Sequence, residues 1–145
     1  MNPAPPNITS GKILVIDDNP VIQRSMYFAL RDRGYTVLMS GQISEALKIV
    51  RRERLDAILL DLNFPPNASA GANAISDGFW ALDWMQRMDE IKDIPVIIIS
   101  SDAPEKSKAH ALAAGAVAYF QKPIDKYELV ATVEELLAHK SASKV

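Results

Sequence analysis

Five short apolar runs recur along the chain: KILVID at 12–17, YTVLMS at 35–40, LDAILLD at 55–61, IPVIIIS at 94–100 and AVAYFQ at 116–121. Each is brief and mostly rich in branched side chains, the pattern of a strand covered on both faces. Between them, apolar residues fall at helical spacing. In residues 19–34, Ile22, Met26, Ala29 and Leu30 share one face. Asn19 suits the cap of that helix, Pro20 its first turn and Gly34 its stop. Ile43, Ala46, Leu47 and Val50 form a second stripe, and Phe79, Leu82 and Met85 a third. An Ala-rich segment at 103–115 is a weaker fourth helix. Leu129, Val130, Val133, Leu136 and Leu137 mark the last.

Strand and helix thus alternate five times. That alternation requires a parallel sheet covered on both sides and joined by right-handed crossovers. In 145 residues it predicts one α/β domain, a doubly wound, flavodoxin-like (βα)5 fold with five strands in the order 2-1-3-4-5. The domain spans 11–139, with a flexible proline-bearing arm at 1–10 and a tail at 140–145. Residues 62–77 interrupt the third unit with Pro, Asn, Ala, Gly and Ser before helical periodicity returns near Gly78. Strands four and five lie beyond this stretch and are needed to finish the sheet. It is therefore an insertion within a βα unit, not a linker.

Hydrophobic residues make up 48% of the chain, enough for a full core, and the net charge is −2 with both signs scattered. No basic stripe suits nucleic acid, and no polybasic anchor or apolar span suits a membrane. With no cysteine, disulfide, thiolate and Cys-ligated metal chemistry are excluded. The N-terminus lacks the charged and apolar regions of a secretory signal, so a cytoplasmic protein is expected.

In a doubly wound sheet the ligand site lies beyond the carboxyl ends of the strands. The first strand ends in Asp17-Asp18, the third in Asp61, the fourth in Ser100, and Lys122-Pro123 follows the fifth. Three close carboxylates need a proton or a cation among them. Oxygen-only ligands favour Mg²⁺, which keeps waters for a phosphate. With a hydroxyl and an ammonium completing the ring, these groups suit phosphoryl transfer.

These five matched positions resemble the receiver domain of bacterial two-component response regulators, over about residues 11–139. The resemblance implies that Asp61 accepts a phosphoryl group from a phosphohistidine on a sensor histidine kinase or phosphotransfer protein. It implies Mg²⁺ (or Mn²⁺) held by Asp18, Asp61 and the backbone carbonyl of Asn63, with Asp17 acting mainly through water. Lys122 would pair with Asp61 and then with the phosphoryl group, Ser100 would hydrogen-bond a phosphoryl oxygen, and the Lys122-Pro123 bond would be cis. Tyr119 takes the aromatic switch position, turning inward as Ser100 moves and reshaping the face of helix 4, strand 5 and helix 5. Asn63 and Asp102 fall where side chains of that family tune dephosphorylation; whether Asp102 orients or repels the attacking water stays open. The family also implies a downstream protein target or fused output domain, and a homodimer through the same face. It implies no enzyme beyond self-phosphorylation and slow autodephosphorylation.

Three further expectations concern the departures. About nine extra residues, 66–74, predict a flap at the rim of Asp61, its ends tied by Phe64 and Ile75. Trp80 and Trp84, four apart, predict mutual packing or packing on that loop. His110 and His139 read as exposed helix residues. A flavodoxin-like redox protein would need a Ser/Thr/Gly-rich loop after the first strand, where this chain has DDNP, and no G-x-G-x-x-G is present for a dinucleotide. The alternative reading is a phosphorylation-independent pseudo-receiver that serves as a docking module.

Overall fold

The computed structural model describes residues 11–63, 77–89 and 91–142. Strands β1 (Lys12–Ile16), β2 (Thr36–Ser40), β3 (Ala57–Asp61), β4 (Val96–Ser100) and β5 (Ala118–Gln121) alternate with five helices. These are α1 (Pro20–Arg31), α2 (Ile43–Arg52), α3 (Asp77–Arg87), α4 (Pro104–Ala113) and α5 (Lys126–Ala142). All four strand pairings are parallel and the order is β2-β1-β3-β4-β5.

Most strands start one to two residues later than the apolar runs predict. Tyr35 and Leu55 are buried yet precede their strands. Apolar character reports burial, whereas a strand also needs ladder partners, and lead-in residues supply the first without the second.

Alternation along the strands divides the core in two. Ile13, Val15, Ala57, Leu59 and Ile97 face Met26 and Leu30 of α1 and Leu129, Val133 and Leu137 of α5. Leu14, Ile16, Ile58, Leu60 and Ile98 face the other way, against α2, α3 and Ala111 of α4. On α2 the buried stripe is Ile43, Ala46, Ile49 and Val50; Leu47, expected on it, packs only partly.

Local chemistry ends the elements where the loops must turn. Asn19 Oδ1 accepts from the Val21 and Ile22 backbone N–H groups at the start of α1, and Pro20 needs no partner there. Gly34 and Gly115 close α1 and α4 at φ values of 95° and 113°, a region that disfavours side chains. Gly78 answers a different demand. A Cβ there would lie 2.6 Å from the Asp61 carbonyl oxygen and 2.7 Å from Leu62 Cα. The first turn of α3 therefore rests directly on the end of β3.

Register sets the strand ends level. Ile16 pairs with Ser40 and Leu60, Asp61 with Ile99, and Ser100 with Gln121. The residues after β1, β3, β4 and β5 consequently gather along one edge.

Candidate functional site

At that edge Lys122 is the centre. Its Nζ lies 3.0 Å from Asp17 Oδ2 and 3.3 Å from Asp61 Oδ2. Asp17 and Asp61 are buried, while Asp18 is exposed at the rim. The family resemblance pairs Lys122 with Asp61; here it bridges both buried acids and lies slightly nearer Asp17. The Lys122–Pro123 peptide is cis.

Each buried acid divides its two oxygens between structure and site. Asp17 Oδ1 accepts from the Asn19 N–H and Asp61 Oδ1 from the Asn63 N–H, both at 2.8 Å. These bonds close the turns that leave β1 and β3, a local role common for Asp. The Oδ2 atoms are left for Lys122. A turn-forming and a chemical role thus coexist on the same residues.

Burial pushes the Asp61 carboxyl above the ordinary aspartate range. The Asn63 N–H pulls it down, the Asp17 charge pushes it further up and Lys122 pulls it back, leaving it raised. Burial works against the Lys122 charge, but the hydrogen bond to Asp17 and the charges of Asp61 and Asp17 outweigh it. The ammonium is held above the ordinary lysine range.

Asp17, Asp18 and Asp61 each offer a carboxylate oxygen, all within 4.8 Å of one another. Asp17 Oδ2 is buried with no partner besides the Lys122 ammonium at 3.0 Å. An all-oxygen donor set with spare lone pairs fits a hard divalent cation. Among the described residues this is the acidic cluster that could bind a metal ion.

Ser100 and Asn63 complete the rim. The Ser100 hydroxyl donates to Asn63 Oδ1 (3.1 Å), which also accepts from the Ser101 N–H. Ser100 is not the cap of α4; that position is Ala103, which has no side chain to cap with. Tyr119 is half-buried against the core cluster of α2 and α3, and its hydroxyl donates to the Asp102 carbonyl oxygen at 2.7 Å. The Asp102 carboxylate is engaged by α4, with Ser107 Oγ at 2.9 Å and Lys106 Nζ at 3.8 Å.

Several contacts carried no sequence signal. Gln23 Nε2 donates to the Asp17 carbonyl oxygen, from the first turns of α1. His110 is exposed but stacks on Phe79, with ring centroids 4.3 Å apart. Trp84 lies under the Arg51 guanidinium at 5.3 Å instead of against Trp80, which is 47% exposed. Such pairings join different elements, so spacing within one helix cannot report them. The expected flap at 66–74 with its ties Phe64 and Ile75, and the side chain of His139, lie outside the described residues.

The chain matches the family model of the response regulator receiver domain over residues 13–134. It is 32% identical over 136 residues to the transcriptional regulatory protein PrrA of Mycobacterium bovis, covering 94% of this chain and 54% of that protein. The chain thus spans about half the length of that relative. It is 30% identical over 128 residues to the protein PilH of Pseudomonas aeruginosa, covering 88% of this chain and 98% of PilH. Among solved structures it resembles the receiver domain of sensor histidine kinase PA1611 from Pseudomonas aeruginosa, described with a magnesium ion coordinated in the active site cleft. The TM-score is 0.75 and the identity 27%, over 90% of this chain and 99% of that one. The chemotaxis response regulator CheY4 of Vibrio cholerae is similar, with a TM-score of 0.74 and 26% identity over 88% and 99% of the two chains. The chain belongs to the response regulator receiver domains of two-component systems. Among the described residues no helix is long and apolar enough to cross a membrane.

Proposed function

We propose that this receiver accepts a phosphoryl group on Asp61 from a phosphohistidine of a sensor histidine kinase or phosphotransfer protein. The observation that carries the reading is Lys122 bridging buried Asp17 and Asp61, with exposed Asp18 completing their carboxylate cluster. A carboxylate oxygen of Asp61 forms a bond to phosphorus as the phosphorus–nitrogen bond breaks; the electron pair stays on the imidazole. The product is an aspartyl phosphate. A divalent cation, taken as Mg²⁺ with Mn²⁺ as a substitute, supplies charge neutralisation when bound by Asp17, Asp18, Asp61 and the Asn63 carbonyl.

Burial next to Asp17 makes the Asp61 carboxylate hold charge reluctantly, and Lys122 keeps it ionised and aimed. Once the acceptor oxygen carries the phosphoryl group, Lys122 pairs with the new charge and Ser100 donates to a phosphoryl oxygen. Tyr119 then follows the loop that it already touches through Asp102. The altered face of α4, β5 and α5 binds a downstream protein or output domain, or a second copy of the chain. The protein is a switch and not an enzyme, and it works in the cytoplasm without contacting nucleic acid or membrane itself.

Beryllofluoride with Mg²⁺, a phosphoryl mimic, tests this through the amide spectrum. Binding at Asp61 is expected, and Asp61→Asn is expected to take up no label from a phosphorylated kinase. If wild type shows no binding, the pseudo-receiver reading replaces this one.

A further inference from the structure

Asp102 stands at a junction of three elements. Its N–H donates to Ser100 Oγ at 3.0 Å. Its carbonyl accepts from Tyr119, and its carboxylate accepts from Ser107 Oγ at 2.9 Å. Ser107 sits in the first turn of α4 and is buried, with 6% exposure. Because Ala103 cannot cap that helix, the Ser107–Asp102 bond is a side-chain tie between the loop after β4 and α4. Lys106 Nζ stands 3.8 Å from the other carboxylate oxygen, so both oxygens face groups of α4.

Ser100 has one proton to donate and two lone pairs to accept with. The Asp102 N–H occupies one lone pair, and the proton goes to Asn63 Oδ1. Asn63 Oδ1 has a second donor, the Ser101 N–H. If the Ser100 proton rotates to another acceptor, Asn63 keeps a partner and no buried group is stranded.

We propose that Ser107 and Asp102 are positioning residues: Ser107 clasps the Asp102 carboxylate to α4, so that the Asp102 N–H stays on the Ser100 oxygen as that hydroxyl re-aims its hydrogen bond from Asn63 to a phosphoryl oxygen on Asp61. This rests on the acceptor reading above. The clasp acts by geometry, and its charge is incidental.

The test is a beryllofluoride titration with Mg²⁺, read at the Ser101 and Asp102 amides, together with amide exchange at Asp102 without either ion. Ser107→Ala and Asp102→Ala each weaken binding about three- to tenfold, the range of one hydrogen bond, and Ser107→Ala speeds exchange at Asp102. Asp102→Asn keeps an acceptor oxygen and binds within about twofold of wild type. The double Ala variant is no weaker than the weaker single one, because both remove the same bond. Melting curves establish that each variant is folded. A wild type that binds, with Ser107→Ala binding equally well, overturns the clasp alone. Asp102→Asn as weak as Asp102→Ala overturns it in favour of a charge effect. A wild type that does not bind overturns the acceptor reading and the clasp with it.

Discussion

Replacing Lys122 with methionine keeps the length of the stem and removes the ammonium from between two buried acids. At 3.0 Å and 3.3 Å from Asp17 and Asp61, each attraction is about 5 kcal/mol at an effective dielectric constant of 20. That gross figure is offset by the cost of burying the ammonium, and breaking a buried pair typically costs about 3–5 kcal/mol net. Asp61, already raised by burial, escapes part of the penalty by taking up a proton. A loss of about 2–4 kcal/mol at pH 7 is expected, or a urea midpoint lower by roughly 1–2 M. Urea unfolding followed by far-UV circular dichroism across pH reads it. Below the ordinary aspartate range Asp61, whose folded value is raised, is protonated, and its share of the deficit closes. Lys122 is held above the ordinary lysine range, so on the alkaline side its contribution stays intact up to 10.5 and is lost only as pH rises through its folded value. Millimolar Mg²⁺ narrows the deficit at pH 7 by supplying positive charge to the same oxygens. A loss under about 0.5 kcal/mol at pH 7, or a deficit that persists unchanged in acid, would refute the electrostatic account and leave only the packing of the stem.

Asp61→Asn raises the melting temperature at pH 7, by about 2–4 °C for each kcal/mol relieved. The folded pKa of Asp61 is raised, so wild type loses stability relative to the Asn variant as pH climbs from 3.8 through that folded value. The two coincide below 3.8; calorimetry at several pH values checks the sign. Gly78→Ala drives a Cβ into the Asp61 carbonyl and Leu62 Cα, contacts made with backbone that cannot swing aside. Overpacking outweighs the better helix propensity of Ala and costs about 1–2 kcal/mol net, measured by chemical denaturation. Tyr119→Phe keeps the ring on the core but releases the Asp102 carbonyl, at a cost of about 1 kcal/mol and with a shifted amide resonance in the loop after β4.

The fold was legible because burial on both faces leaves a strong trace in composition. Runs such as VIIIS and AILLD have no polar face, and only a parallel sheet between helix layers accommodates five of them in one short chain. Loop chemistry was legible for a similar reason: Asn19, Pro20, Gly34 and Gly115 act on neighbours one to four residues away. Once the strand order followed, so did the gathering of Asp17, Asp18, Asp61, Ser100 and Lys122, because they end parallel strands.

The bonds among those residues were not legible. That Lys122 bridges Asp17 as well as Asp61 depends on strand register and on the depth of each acid. That the Asp102 carboxylate accepts from Ser107 depends on how α4 leaves its loop. Trp84 beneath Arg51 and His110 on Phe79 each join two helices whose relative placement no local pattern records. Periodicity specifies which face of an element turns inward, because hydrophobic burial is a property of single residues. Which atoms then meet is a property of pairs distant in the chain, and only packing brings them within a hydrogen bond of each other.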